Sequence, residues 1–243
     1  MRHDDGQGTS GDRFASALTQ ASATDRVRAL VDARTVVAPE PADARFASSP
    51  VQVHVVLVGP MGSGKSTVGA QLGGLLGLTA LDTDQLFEEV HGPIPAFFAA
   101  HGEPAFRAAE SEIVLAALSV ARPTVLSLGG GAVISATTRQ ALQKGPAVCH
   151  LDVDEAAALA RLGGGEGRPV LAGDPARTWR RILSEREHLY REVASWTVKT
   201  TGLDAGQVAG TITDLLIEQQ ADSVDAATGQ HHATENHTGD ARR

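Results

Sequence analysis

Apolar residues along this chain alternate between two spacings. Short apolar runs predict strands over 51–58, 78–82, 124–128, 146–151 and 195–200. Between them the apolar positions recur every three or four residues, the period of a helix with one buried face. One helix opens at Lys65, carries Val68, Leu72, Leu75 and Leu76, and stops at Gly77. A second, near 104–120, carries Ile113, Val114, Leu115 and Leu118. A third opens after Asp174-Pro175, carries Trp179, Ile182, Leu183 and Leu189, and runs to about Val193. Strands that alternate with helices predict an α/β fold with a parallel sheet, whose ligands gather at the carboxyl ends of the strands.

Both ends of the chain break this pattern. Residues 1–50 are rich in Ala, Ser, Thr, Asp and Arg and close on APEPADARFASSP, so they read as a disordered extension and linker. Phe14, Leu18, Val27, Leu30 and Val31 have broken helical spacing, which leaves open a short docking helix over about 13–33. From about Ala221 apolar residues nearly vanish, and His231, His232 and His237 read as solvated tail residues rather than metal ligands. The expected organisation is an extension over 1–50, a catalytic domain over 51–220 and a disordered tail over 221–243.

Composition narrows the partners. With 243 residues and 42% apolar content the chain can bury one substantial core. A net charge of −8 argues against nucleic acid, whose binders present a basic face, and points to small molecules. The one cysteine, Cys149, lies in an apolar run and reads as a small buried hydrophobe. No apolar run approaches the roughly 18 residues of a membrane span, and the first residues lack a signal-peptide core. A cytoplasmic protein with no membrane partner, and a monomer, is expected.

The chemistry begins after the first apolar run. Gly59-Pro60-Met61-Gly62-Ser63-Gly64-Lys65-Ser66 satisfies every fixed position of the phosphate-loop pattern GxxxxGK[ST]. Its glycines let backbone N–H groups converge on phosphate oxygens at a helix N-terminus. Lys65 then reaches the outer phosphates, and Ser66 is placed to hold Mg²⁺. Only three lysines occur in the chain, and one fills this slot. The second strand ends in Leu81-Asp82-Thr83-Asp84, whose two carboxylates share one side of an extended chain. The third offers no carboxylate, so Asp82 is the better Mg²⁺ partner and Asp84 is left for the substrate.

Three further segments carry candidate chemistry. Gly102-Glu103-Pro104-Ala105-Phe106-Arg107 sets a cation at a helix start, where the dipole alone would prefer an anion. Gly129-Gly130-Gly131 follows the third strand and exposes backbone to a ligand. Arg161-Leu162-Gly163-Gly164-Gly165-Glu166-Gly167-Arg168 is a glycine-dense loop between arginines and reads as able to close on charge.

Together these segments resemble shikimate kinase, a phosphate-loop small-molecule kinase family, over about Val51 to Leu216. The likeness is carried by GPMGSGKSTVG, LDTD, GEPAFRAAE, SLGGGAV, RLGGGEGRPVL and SEREHLYREVA. It implies a three-layer α/β sandwich with a five-stranded parallel sheet, like nucleoside monophosphate kinases, and transfer of the ATP γ-phosphate to the 3-hydroxyl of shikimate. It further implies nucleotide binding by Gly62, Ser63, Gly64, Lys65, Ser66 and Thr67, with Arg161 on the adenine and Arg168 on the phosphates. Asp84 would meet the substrate hydroxyls and accept the attacking proton. Arg107 and Arg186 would clamp the substrate carboxylate, and Gly129, Gly130 and Gly131 would form the substrate turn. Ser66 would hold Mg²⁺, with Asp82 as its outer-shell carboxylate. A gluconate or cyclitol kinase and a non-catalytic nucleotide-binding regulator are the rival readings. A cyclitol would need no carboxylate clamp, so Arg107 and Arg186 favour shikimate.

Overall fold

The computed structural model describes residues 21–163 and 173–234. Its sheet has five parallel strands in the order β2-β3-β1-β4-β5. These are β1 (Val55–Val58), β2 (Ala80–Asp82), β3 (Val125–Ser127), β4 (Ala147–Asp152) and β5 (Trp196–Lys199). Four lie within the spans predicted from the apolar runs, and β4 runs one residue past its predicted end at 151. The central strands β1 and β3 are buried at every residue, because helices cover both faces of the sheet.

Alternation along the strands sorts the core into two layers. Val56, Val58 and Leu126 point to one face, with Leu86, Phe87, Ile113 and Tyr190. Val55, Leu57 and Leu151 point to the other, with Val68, Leu72, Ile212 and Leu216. The first face is covered by α4 (Thr83–His91), α5 (Ile94–Leu118) and α8 (Pro175–Val193). The second is covered by α3 (Lys65–Leu76) and α9 (Ala205–Thr234). Short helices α6 (Ala136–Leu142) and α7 (Glu155–Arg161) complete the crossovers. From β1 the chain crosses to β2 on one side, and from β3 it passes over β1 to β4 on the other. The loops diverge at this switch, so a cleft opens at the carboxyl ends of the central strands.

Local signals explain the helix bounds. Gly77, at φ 68°, takes the left-handed conformation that ends α3. Asp174 caps α8 by accepting from the Arg177 N–H, and Pro175 fills its first turn. The helix expected near 104–120 is the second half of α5, which starts at Ile94 and kinks at Gly102 (φ 78°, ψ 173°). Pro93, Pro95 and Gly102 read as loop signals in the sequence, and they hide the first half.

The extension departs from the disordered reading and shows, over 23–35, the docking helix that the spacing of Val27, Leu30 and Val31 leaves open. Helix α1 (Ala23–Thr35) packs on α4 and α5, with Val27 and Val31 fully buried. Short helix α2 (Ala44–Ser48) buries Phe46 against the opposite layer. Val27 and Val31 are four apart, so they form one stripe, and burying each stabilises by about 1.5–3 kcal/mol. A composition typical of disorder therefore conceals two anchors. At the other end α9 continues to Thr234, past the tail boundary expected at 221. Arg168 and His237 lie outside the described residues. Among the described residues no helix is long and apolar enough to cross a membrane.

Candidate active site

The phosphate loop joins β1 to α3. Gly59, Gly62 and Gly64 all have positive φ, which only glycine adopts without strain. At Gly62 a Cβ would stand 2.8 Å from the Ala158 carbonyl oxygen, so α7 packs against bare backbone. Trp179 on α8 donates from Nε1 to the Met61 carbonyl at 3.0 Å and pins the loop from outside. Lys65 Nζ donates to the Gly59 and Pro60 carbonyls at 2.9 and 3.0 Å, which lays the ammonium over the loop mouth. Ser63 is fully buried.

Ser66 and Asp82 meet at the mouth. Ser66 Oγ donates to Asp82 Oδ2 at 2.5 Å, while Asp82 Oδ1 caps α4 by accepting from the Asp84 N–H at 2.9 Å. Ser127, at the end of β3, donates its hydroxyl to the Lys65 carbonyl at 3.0 Å. Asp82 thus stands in hydrogen-bond contact with Ser66.

A second cluster surrounds the Gly129–Gly131 turn. A Cβ on Gly129 would stand 2.5 Å from Asp84 Oδ1 and 3.0 Å from Glu110 Oε1, so both carboxylates lie on the turn's backbone. A Cβ on Gly131 would collide with the Arg107 guanidinium. Arg107 Nη1 pairs with Glu110 Oε2 at 2.6 Å, and its Nε lies 3.6 Å from Glu103 Oε1. From α8, Tyr190 donates its hydroxyl to the Gly130 carbonyl at 2.6 Å, and Arg186 Nη1 donates to the same oxygen at 3.3 Å. Arg107 Nε and Arg186 Nε are both buried without a hydrogen-bond acceptor among the described residues. Two donors left short of acceptors beside one turn are suited to an incoming anion.

Burial sets the charge state of this cluster. It raises the Asp84 carboxyl above the usual carboxylate range, and the Asp82 charge adds to the rise against the pull of Lys65 and Arg107. Burial raises Glu110 as well, although the charge and hydrogen bond of Arg107 oppose it. Two raised carboxyls beside arginines form a site able to take up and release a proton.

Arg161, at the end of α7, lies beside the phosphate loop. Its Nη1 donates to Thr200 Oγ1 at 2.9 Å and the Gly62 carbonyl at 3.2 Å, and its Nη2 to the Thr200 carbonyl at 2.7 Å. It separates two cavities. One, of about 390 Å³, is lined by Gly62, Gly64, Lys65, Ser66, Thr67, Asp82, Asp84, Gly129, Gly130 and Arg161. The other, of about 230 Å³, lies between Ser63, Thr67, Arg161, Thr200, Leu203, Ala205 and Val208.

Apart from Arg168, which lies outside the described residues, the structure gathers the nominated residues at one end of the sheet, although Arg107, Gly131 and Arg186 do not line the cavity of about 390 Å³. Sequence reasoning gave no role to Glu110, Tyr190, Trp179 or Thr200. Glu110 follows Arg107 by three residues on a helix, the spacing of an ion pair, which was the one available signal. Tyr190, Trp179 and Thr200 act from distant segments and left none.

A model of the shikimate kinase family matches residues 61–217. A shikimate kinase from Streptomyces avermitilis is 44% identical over 169 residues, 69% of this chain and 98% of its own. One from Rhodococcus jostii is 42% identical over 165 residues, 67% of this chain and 97% of its own. Among solved structures, a shikimate kinase from Acinetobacter baumannii in complex with shikimate superposes with a TM-score of 0.67 at 35% identity, covering 72% of this chain and 98% of its own. The family match runs from Met61, inside the phosphate loop, through the glycine turn and both arginine-bearing helices, and by it the chain belongs to the shikimate kinase family.

Proposed function

We propose that the protein transfers the ATP γ-phosphoryl group to the 3-hydroxyl of shikimate, giving ADP and shikimate 3-phosphate, as a cytoplasmic monomer. The observation that carries this reading is the glycine turn, where Asp84 and the acceptor-poor Arg107 and Arg186 converge one strand away from the phosphate loop. A ring bearing both hydroxyls and a carboxylate suits that set. A neutral cyclitol would bring no anion for the buried Nε donors of the two arginines.

Each group has a role in this reading. Loop N–H groups and Lys65 bind the β- and γ-phosphates, with Gly62, Ser63, Gly64, Ser66 and Thr67 shaping the cradle. The slot between Arg161 and Ala205 takes the adenine, and its volume of about 230 Å³ leaves room for a flat base. Arg107 and Arg186 clamp the carboxylate, and the backbone of Gly129–Gly131 seats the ring. Asp84 orients the attacking hydroxyl and accepts its proton as the new O–P bond forms and the bond to the β–γ bridging oxygen breaks. Arg168 supplies positive charge to the transferring group in the closed complex.

Ser66 Oγ and Asp82 Oδ2, two hard oxygens 2.5 Å apart, fit a Mg²⁺ site that keeps water and phosphate ligands. When bound there, Mg²⁺ neutralises phosphate charge. Coupled ADP release measured with shikimate, quinate, gluconate and a cyclitol tests the reading. Turnover with shikimate at least tenfold above the others is expected, and equal or greater turnover with gluconate would overturn it.

A further inference from the structure

The family match begins at residue 61, and the relatives above are spanned almost completely by about two thirds of this chain. Helix α1 lies outside that shared part, yet it is built into the substrate side of the fold. It packs on α4 and α5, the helices that carry Asp84, Arg107 and Glu110.

The contacts of α1 are directional. Val27 and Val31 enter the core layer that contains Leu86, Phe87 and Ile113. Arg26 Nη1 donates to the Val90 carbonyl at 3.1 Å, and Arg34 Nη2 meets both Glu89 oxygens at 2.6 Å. These hold the C-terminal end of α4, whose first turn carries Asp84. Arg28 Nε donates to Ser119 Oγ at 2.9 Å, at the end of α5. Arg122 Nη1 donates to the Thr35 carbonyl at 2.7 Å and ties the end of α1 to the loop before β3, which leads to the glycine turn.

We infer that α1 is a strap that positions the α4–α5 pair against the Gly129–Gly131 turn and so sets the affinity for the acidic substrate. Arg26, Val27, Val31 and Arg34 are its positioning residues. Asp84 and Arg107 reach the turn from different helices, and a helix bound across both fixes their mutual angle. Without the strap the pair samples wider openings, and apparent affinity falls by the fraction of time the competent spacing is lost. The Arg34 carbonyl also accepts from Thr79 Oγ1 at 3.3 Å, in the connection between α3 and β2, but none of the contacts above reaches the phosphate loop. ATP binding is therefore indifferent to it.

The inference rests on the proposed shikimate kinase activity, and the test separates the two. Removing residues 1–37 leaves Pro39–Ser48 and α2 in place. If the competent fraction falls to roughly a tenth, KM for shikimate rises about tenfold, with kcat and KM for ATP within about twofold of the intact chain. The double variant Arg26→Ala/Arg34→Ala keeps both buried valines, so it folds, and a rise of about threefold in the same constant is expected. An unchanged KM for shikimate in the folded double variant, or equal rises in both KM values on truncation, would overturn the strap. Should the intact chain fail to phosphorylate shikimate, the functional reading falls, and hydrogen exchange still reads the strap. Faster exchange confined to α4 and α5 in the double variant supports it, whereas an unchanged or uniformly faster pattern refutes it.

Discussion

The two ends of the cleft, the one we propose for the nucleotide and the one we propose for the substrate, are built from different materials. At the nucleotide end one continuous segment, Gly59–Thr67, supplies backbone donors, a lysine and a hydroxyl, pinned by Trp179 and Arg161. At the substrate end the chemistry is in side chains from separate segments: Asp84 on α4, Arg107 and Glu110 on α5, Arg186 and Tyr190 on α8. These close on three glycines whose missing side chains make room for them. A backbone cradle depends on local conformation. A side-chain cluster depends on how helices are held, so the two ends should fail differently when perturbed.

The largest effect should come where the two ends meet. Asp84→Asn keeps the size of the side chain and removes its ability to accept a proton, so kcat should fall by about 10²–10⁴-fold with ATP binding intact. The raised Asp84 carboxyl adds a pH signature: in the intact chain kcat/KM should drop with acid through a value above the ordinary carboxylate pKa of about 3.9. An acid limb at or below that value would remove Asp84 as the base. Lys65→Ala tests the nucleotide end alone. A loss of order 10²-fold in kcat is expected from removing a charge at the phosphates, and activity within threefold of the intact chain would refute the phosphate-loop reading.

How far each end was legible in the sequence follows from the same contrast. The phosphate loop, its strand and its helix are contiguous, so spacing alone revealed them, and Gly77 marked the end of α3. Asp82 was proposed for Mg²⁺ by elimination, because Ser127 left β3 without a carboxylate, and it accepts a hydrogen bond from Ser66. Arg107 and Arg186 were nominated through resemblance, since no spacing links α5 to α8. The pairing of Glu110 with Arg107 and the hold of Tyr190 on Gly130 depend on tertiary packing, which periodicity does not encode. Helix α1 is left open by the spacing of its apolar residues but ranks below disorder, for a different reason. Its two valines sit among polar residues typical of disorder, and what stabilises them is a groove formed by α4 and α5.

An intermediate effect sharpens the contrast at the substrate end. Charge-assisted hydrogen bonds contribute about 1.5–3 kcal/mol, so Arg107→Ala and Arg186→Ala should each raise KM for shikimate by roughly 10–150-fold while KM for ATP stays nearly constant. Arg107→Ala also leaves the buried Glu110 without its cation, and that variant should lose thermal stability that Arg186→Ala retains. A fall in ATP affinity instead would place these arginines at the wrong end.

The smallest effect concerns His150 on β4, which lies beneath the substrate turn. Its ring stacks on Tyr190, with centroids 5.3 Å apart and planes 23° from parallel, and both ring nitrogens are buried without hydrogen-bond partners among the described residues. Burial lowers its pKa, and the charges of Arg191 and Lys65 lower it further, against Asp152 and Glu187. The folded state thus takes up a proton less readily than the unfolded state, whose histidine titrates near 6.5. Stability from this group is complete above that value and is lost as pH falls from it toward the lowered folded value. The slope is at most about 1.4 kcal/mol per pH unit for one proton. His54, also lowered by burial, adds a term of the same sign. The unfolding midpoint should therefore drop between pH 7.5 and 5.5 in the intact chain. In His150→Phe, which keeps a flat ring against Tyr190, it should drop less, with kcat/KM at pH 7.5 within about threefold of the intact chain. An identical pH dependence in both proteins would show that His150 finds a partner for its proton, and that the support beneath Gly130 does not respond to acid.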